Sequence, residues 1–185
     1  MKLYGSVTSP YVRHVRVALA QSGFDYTFVE ADYAMSAERS PTAKVPFFED
    51  GDLTLTDSTS ILKHVREKSG MEFLEDLEDC ELYFMADTLT DAGINQFMME
   101  KEGATGDRFP YLARQQYRVL KGLGELNRRL DPGDGIGRDG ALRTACLIGW
   151  GLFRNRFSLD GLDNLRGLME AAGQDPAFVE TAPQD

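Results

Sequence analysis

Two hydroxyl side chains of this sequence stand where helices are predicted to begin. Ser9 directly precedes Pro10, a residue favoured at the first position of a helix, and Ser58 follows Asp57 at the start of a second apolar-periodic stretch. The first N–H groups of a helix lack partners within it, and together with the helix dipole they attract negative charge. Each position can therefore hold an anion, or Ser9 and Asp57 can simply cap their helices.

A third segment, Lys44-Val45-Pro46, comes directly before a run of β-forming residues. Because proline has no backbone N–H to donate, the segment taken alone is typical of the entry to an edge strand. Lys44 can be a solvated surface lysine or the partner of a carboxylate. Both interpretations stay open on these residues alone.

The elements that must position these residues alternate between strand and helix over the first seventy residues. The β-forming runs cover residues 2–6, 26–29, 46–49 and 53–55. Asp50-Gly51, a strong hairpin signal, lies between the last two runs. Helical periodicity covers residues 10–23 and begins again at Asp57. The predicted order is β-α-β, a loop or short helix, then β-β-α.

After Gly70 the chain changes character and carries almost no β signal. Helices are predicted over residues 78–101, 111–130, 141–153 and 162–171. The acid-rich residues 72–81 predict a linker that merges into a helix, and the acidic cluster over residues 75–81 predicts a solvated face. The pattern predicts a small α/β unit followed by a bundle of helices.

The charge and hydropathy of the chain exclude several classes of partner. The net charge is −10, and the 20 Lys and Arg residues are scattered rather than clustered. Nucleic acids and anionic membrane surfaces are therefore not expected partners, since both need concentrated positive charge. No apolar run approaches the roughly 20 residues of a membrane span, and the first residues lack a signal-peptide pattern, so we expect a cytoplasmic protein.

The cysteines and histidines predict neither a disulfide framework nor a metal site. Cys80 and Cys146 lie far apart without a C-x-x-C spacing, which suits a reducing compartment, and both are expected to be buried or inert. His14 and His64 have no cysteine partners nearby. No metal is expected.

Three segments together resemble the cytosolic glutathione transferase superfamily. They are Thr8–Arg13, Lys44–Pro46 and Asp57–Ile61, and their order and spacing are similar to that family over roughly residues 1–70. The resemblance is to serine-type members, bacterial ones and the plant classes with a Ser-Pro-Phe motif. It implies a thioredoxin-like glutathione-binding domain over residues 1–72 and an all-helical domain over residues 76–185, usually in a homodimer.

The resemblance implies that Ser9 is the catalytic residue. Its hydroxyl would donate a hydrogen bond to the sulfur of glutathione and favour the thiolate, although Ser6 and Thr8 are close rivals for this role. Thioredoxins and cysteine-type transferases carry a cysteine at this position. Because this chain has serine there, disulfide exchange is not expected, whereas conjugation and peroxide reduction by bound glutathione both stay open.

The other two segments would hold the rest of glutathione. In the family the proline matching Pro46 follows a cis peptide, and the backbone of the residue matching Val45 pairs with the cysteinyl backbone of the ligand. Lys44 would meet the glycyl carboxylate. Asp57 and Ser58 would hold the γ-glutamyl end at the helix N-terminus.

The second substrate is the least predictable part of the site. Tyr11 directly follows the Ser9-Pro10 pair, and Phe97 and Tyr111 lie in the helical region, so these three are candidates for an apolar co-substrate pocket between the domains. Aromatic residues at helical spacing are more often core residues, so both interpretations of the two helical aromatics stay open. The region of residues 137–140 also departs from the Ser/Thr-x-x-Asp capping motif of many family members.

The sequence thus predicts an enzyme, a glutathione S-transferase that conjugates glutathione to a hydrophobic electrophile. One alternative is a non-catalytic glutathione-transferase-like interaction or regulatory protein. Another is a glutathione-dependent isomerase, dehalogenase or etherase, which would share the thiol site and differ in the co-substrate pocket. Nothing in the sequence specifies the electrophile.

Overall fold

The computed structural model describes residues 1–131, 133 and 135–184, and the chain divides into two compact units. The first unit comprises Met1–Phe73 together with Gly173–Asp185, and the second comprises Leu74–Ala172. Sequence analysis placed the boundary between its two predicted domains near residue 72. The C-terminal segment, however, groups with the first unit and not with the helical one.

The first unit is a four-stranded mixed sheet with helices. In chain order its elements are β1 (Lys2–Gly5), α1 (Pro10–Gln21), β2 (Thr27–Glu30), α2 (Tyr33–Arg39), β3 (Phe47–Asp50), β4 (Leu53–Leu55), α3 (Ser58–Lys68) and, from the chain end, α8 (Pro176–Glu180). The strand order is β2-β1-β3-β4. β1 is parallel to β2, whereas β1–β3 and β3–β4 are antiparallel. The predicted thioredoxin-like arrangement is confirmed, and α2 settles the open choice between loop and short helix.

Local sequence signals account for most of these elements. The paired strands β3 and β4 are joined by the two residues between Asp50 and Leu53, which face each other in the register, as expected for a hairpin. Asp32 caps α2 by accepting a hydrogen bond from the Met35 N–H at 2.8 Å. Apolar residues of α1, Val12 among them, recur at helical spacing and so form one face, which is fully buried in the core of the first unit.

The C-terminal helix α8 belongs to the first unit because it is bound along α1. The Arg13 guanidinium donates to the carbonyl of Phe178 at 2.7 Å and lies 3.6 Å above the centre of its ring. One end of the segment is held by Gln21, whose amide donates to Asp175 at 3.3 Å. Sequence analysis assigned this segment to the helical domain, because contacts between residues so far apart in the chain leave no periodic signal.

In the described part of the second unit the α-helices are α4 (Leu77–Lys101), α5 (Pro110–Arg129), α6 (Asp139–Phe153) and α7 (Asp163–Ala172). Their ends lie within about two residues of the predicted bounds, so the predicted helical bundle is confirmed. α6 is buried from Asp139 to Ile148, as its apolar composition favours. In the part of the chain that the structure describes, no helix is long and apolar enough to cross a membrane.

The start of α6 is capped by a residue from α4. Asp79 is 1% exposed and its carboxylate accepts a hydrogen bond from the Gly140 N–H at 2.8 Å. A side chain at position 140 would not fit, because a Cβ there would lie 2.6 Å from the Asp79 carbonyl oxygen. Arg138 adds ion pairs to Asp76 at 2.6 Å and to Asp79 at 3.8 Å. The expectation of a solvated acidic face over residues 75–81 was therefore wrong at Asp79.

Candidate functional site

The register of the sheet brings the three predicted segments to one end of the first unit. Tyr4 near the end of β1 pairs with Phe47 at the start of β3, and Phe48 pairs with Leu55 at the end of β4. Because the chain leaves β1 and β4 where it enters β3, the segments at Ser9, Lys44–Pro46 and Asp57-Ser58 all adjoin this end. Their convergence follows from antiparallel pairing alone.

Ser9 is the N-cap of α1 and is half-buried. Its side-chain oxygen accepts a long hydrogen bond, 3.4 Å, from the Val12 N–H, and Pro10 occupies the first helical position. Among the described residues, none accepts a hydrogen bond from the Ser9 hydroxyl. The capping interpretation is thus correct for the oxygen, and the hydroxyl hydrogen stays available to a ligand.

The two rival hydroxyls in the same loop are engaged with each other. The Ser6 and Thr8 side-chain oxygens lie 3.1 Å apart, and the Thr8 N–H donates to the Ser6 oxygen at 3.3 Å. The loop is closed by a further bond from the Ser9 N–H to the Ser6 carbonyl at 3.1 Å. Only one of the two hydroxyls donates in the bond between them, so the position of Ser9 as the N-cap of α1 is what favours it as the hydroxyl presented at the helix start.

Gly5 is a site-building residue that the sequence analysis missed. It ends β1 and leads into the loop that carries Ser9. A Cβ at position 5 would lie 2.5 Å from a methyl group of the fully buried Val12. Only glycine lets the end of β1, and with it the start of the loop that carries Ser9, approach α1 this closely. A glycine near the end of a β-forming run, shortly before a helix start, is the signal that could have indicated it.

The second segment has the backbone geometry that the resemblance implies. The peptide bond between Val45 and Pro46 is cis, and Pro46 is buried directly before β3. Within the described residues, no hydrogen bond involves the backbone N–H or C=O of Val45. Lys44 is exposed, and its ammonium lies 3.8 Å from the Asp57 carboxylate. The structure therefore brings the second and third segments into contact.

The third segment begins α3. Asp57 is the N-cap, and its carboxylate accepts a hydrogen bond from the Thr59 N–H at 2.9 Å. Ser58 is the first helical residue and is 6% exposed. Asp57 is thus a cap, as one interpretation expected. Capping does not exclude a role beside a ligand, because Asp57 and the helix start lie at the end of the sheet where Ser9 lies.

The three candidates for the co-substrate pocket lie in different units. Tyr11 is in α1 of the first unit and is half-buried. Phe97 packs edge-on against Trp150, with ring centres 6.1 Å apart, inside the second unit. Tyr111 is 55% exposed on α5. A pocket shared by these residues stays a prediction.

The arrangement can hold an extended anionic ligand at one end of the sheet. Two helix N-termini supply partial positive charge, Lys44 supplies a full one, and Val45 supplies a backbone donor and acceptor between them. Ser9 supplies a hydroxyl donor. In the described ranges 1–131, 133 and 135–184, no group of three acidic, histidine or cysteine side chains is placed to hold a metal ion.

Comparison with known proteins identifies the first unit. Residues 3–73 match the family model described as glutathione S-transferase, N-terminal domain. Glutathione S-transferase 4 of Zea mays is 40% identical over 81 residues, which are 40% of this chain and 36% of that protein. The chain spans about half or less of the length of the plant relatives it matches.

Two longer similarities extend over both units. The uncharacterized GST-like protein YibF of Escherichia coli K12 is 29% identical over 177 residues, 83% of each chain. The crystal structure of a glutathione S-transferase from Methylobacillus flagellatus KT, with glutathione bound, covers 99% of each chain with a TM-score of 0.86 at 24% identity. This second similarity shows a shared fold over the whole chain.

Proposed function

This chain belongs to the cytosolic glutathione transferase superfamily, and from that premise we propose that it is a glutathione S-transferase. It binds glutathione at the end of the sheet where β1 and β4 stop and β3 starts, and it transfers the thiolate to a hydrophobic electrophile. The observation that carries the proposal is the convergence of Ser9, Lys44–Pro46 and Asp57-Ser58 within a glutathione S-transferase N-terminal domain.

The tripeptide matches the polar groups of this site one by one. Its glycyl carboxylate pairs with Lys44, and its cysteinyl backbone forms an antiparallel rung with the Val45 N–H and C=O, which Pro46 turns outward. Its γ-glutamyl end lies at the start of α3, held by Ser58 with Asp57 beside it. The 3.8 Å ion pair of Lys44 and Asp57 supports a compact site.

Thiol activation is assigned to Ser9. A free thiol has a pKa near 8.5, so only a few per cent is ionised at neutral pH. Lowering that pKa by about two units requires about 2.7 kcal/mol of preferential thiolate stabilisation. A charge-assisted hydrogen bond from the Ser9 hydroxyl, added to the positive end of α1, is of that order. Catalysis then consists of a more reactive nucleophile held beside its target, with no covalent intermediate on the protein.

The electrophile is assigned only as apolar, with Tyr11 as the first contact because it lies directly beyond the Ser9-Pro10 helix start; Phe97 and Tyr111 stay further candidates. The experiment is a panel of electrophiles incubated with protein and glutathione and analysed by mass spectrometry. Conjugates formed faster than in protein-free controls support a transferase. Product formed while glutathione is returned unchanged would replace conjugation by the isomerase class. If the protein did not bind glutathione, the alternative of a non-catalytic interaction or regulatory protein would replace the transferase.

The proposal includes a cytoplasmic location and a homodimer. Both cysteines are free thiols, which suits the compartment where glutathione keeps thiols reduced. Exposed apolar side chains on α4 and α5, among them Leu77, Phe84 and Tyr117, offer contact area for a second copy. Sedimentation at micromolar concentration is expected to show a dimer, and a monomer alone would contradict this part.

A further inference from the structure

The loop of residues 40–46 carries Lys44 and Val45. Its two ends are held together by side chains that make none of the proposed contacts to glutathione. Arg39 is the last residue of α2 and Glu49 lies in β3, so these two residues flank the loop. The Arg39 guanidinium donates to one oxygen of the Glu49 carboxylate at 3.2 Å. This ion pair joins the element before the loop to the element after it.

Tyr4 of β1 contacts both members of this ion pair. Its hydroxyl donates to the second Glu49 oxygen at 2.9 Å, and its ring lies 4.6 Å from the Arg39 guanidinium in a cation–π contact. The ring is 1% exposed and stacks on Phe47 at 4.3 Å. Burial, followed by the hydrogen bond to Glu49, raises the pKa of the Tyr4 phenol, so Tyr4 stays a donor at neutral pH.

The loop itself adopts a backbone conformation that needs such support. Ala43, directly before Lys44, has a φ of 52°, in the left-handed region that residues other than glycine rarely adopt. Its N–H donates to the Ser40 carbonyl at 2.9 Å, which closes a turn. A conformation of this kind persists only where the surrounding structure holds it. The direction of Lys44 therefore depends on how firmly the ends of the loop are held.

We propose that Arg39, Glu49 and Tyr4 are positioning residues for glutathione: they hold the ends of the 40–46 loop and so set where Lys44 and the Val45 backbone meet the peptide. The inference deepens the proposed function and rests on it. None of the three residues is assigned a contact with the ligand. Ser9 lies in a different loop. The interactions of Arg39, Glu49 and Tyr4 therefore affect the affinity for the peptide part of glutathione and leave the pKa of its thiol unchanged.

The test measures the affinity for S-methylglutathione, which keeps the peptide and has no thiol to ionise. Arg39→Gln and Glu49→Gln are each expected to raise Kd about 3- to 10-fold, the range of a partly exposed ion pair with a cation–π contact. The double variant is expected to raise Kd by less than the product of the two single effects, because both substitutions remove the same Arg39–Glu49 ion pair. Arg39→Lys, which keeps the charge, restores part of the affinity.

The matched control is Arg128→Gln in α5. Arg128 also forms an exposed ion pair, with Glu125 at 2.7 Å, but in the second unit, so its loss is expected to leave Kd unchanged. Tyr4→Phe keeps the stacked ring and removes one bond to Glu49, and an intermediate loss of affinity is expected.

A merely structural pair would give a different pattern. If Arg39→Gln lowered Tm while Kd stayed at the wild-type value, the positioning role would be overturned. It would also be overturned if the variant shifted the pKa of bound glutathione as Ser9→Ala does. Failure of the wild-type protein to bind glutathione or its S-methyl form would overturn the proposed function itself and this inference with it.

Discussion

Helix α6 of the second unit begins in a different way from α1 and α3 of the first unit. In the first unit, α1 and α3 are capped by the residue directly before them, Ser9 and Asp57, whose side chains accept hydrogen bonds from N–H groups two or three residues further on. In the second unit, α6 has no such local cap. Its Gly140 N–H is bound instead by Asp79, 61 residues earlier in the chain.

The difference separates a site that can serve a ligand from one that serves the fold. The start of α6 already holds a buried carboxylate, packed so closely that position 140 admits no side chain. The starts of α1 and α3 use short local caps and lie at the open end of a sheet, where Ser9 still has a hydroxyl hydrogen to donate. The same helix-terminus electrostatics thus stabilises the second unit and, in our proposal, binds substrate in the first.

The largest expected effect is on the stability of the second unit. Asp79→Ala leaves the buried Gly140 N–H without a partner and is expected to cost about 3 kcal/mol in the free energy of unfolding. Asp79→Asn keeps an acceptor and avoids burying a charge, so about 1 kcal/mol or less is expected. Denaturation in urea measures both, with exposed Glu81→Ala in the same helix as the control. Equal stability of Asp79→Ala and Glu81→Ala would refute the cap.

The opposite pattern is expected at the start of α1, where a cap is changed with little loss of stability. Ser9→Ala is expected to cost under about 1 kcal/mol of stability, because the bond to Val12 is long. It is expected to lower kcat/KM about 30-fold, equivalent to about 2 kcal/mol, because the end of α1 still favours the thiolate. Steady-state kinetics and thermal melts measure the two effects. Ser22→Ala, at the other end of α1, is the control, and equal kinetic loss in both variants would contradict the role of Ser9.

A smaller effect is expected for the exposed cation of the site. Lys44→Ala is expected to raise the Kd for glutathione about 5-fold, roughly 1 kcal/mol, since its carboxylate partner is partly solvated. Calorimetric titration with the glycyl monoethyl ester of glutathione supplies the control, because the ester lacks the carboxylate that Lys44 would meet. If Lys44→Ala weakened the binding of the ester and of the free acid equally, the proposed contact between Lys44 and the glycyl carboxylate would be contradicted.

The smallest expected effect is a pH dependence that runs oppositely in the two units. Hydrogen bonds from Lys68 and His64 lower the pKa of Asp50 in the first unit, so its stabilising contribution is present above 3.8 and is lost as the pH falls below that value. Burial raises the pKa of Asp79, so folding favours its protonated form. The contribution of this protonation to the free energy of unfolding is present below pH 3.8 and is lost as the pH rises through the folded pKa.

Denaturation between pH 3 and pH 7 separates these two contributions. Asp50→Asn is expected to flatten the loss of stability on acidification by about 0.5 kcal/mol, since the group is close to solvent. Asp79→Asn is expected to remove the opposing slope. Identical pH profiles for the wild type and both variants would contradict these assignments.

How much was predictable follows from how local each signal is. The strands, the hairpin after Asp50 and the caps at Ser9 and Asp57 depend on neighbours in sequence, and they were predicted before any contact was known. The register of β1, β3 and β4 then brings the candidate site residues to one end of the sheet. The role of Gly5 depends on its distance from Val12, and a glycine before a helix start indicates only that such a close approach can occur.

Long-range contacts account for what sequence analysis missed. The cap of α6 joins residues 79 and 140, and the acidic composition around Asp79 predicted a solvated face instead. The segment from Asp175 to Phe178 carries a local signal, an aspartate before a proline-started helix. Its attachment to Arg13 of α1, however, depends on residues 165 positions apart.

The most direct test of the account is the ionisation of glutathione bound to the protein, followed by thiolate absorbance in the ultraviolet across pH. We expect the bound thiol to ionise about two pH units below the free value of about 8.5, and we expect Ser9→Ala to bind glutathione while losing most of that shift, since only the helix end still favours the thiolate. A bound thiol that ionises near 8.5 in the wild type, or a shift of the same size in Ser9→Ala as in the wild type, would contradict the assignment of Ser9 as the activating residue.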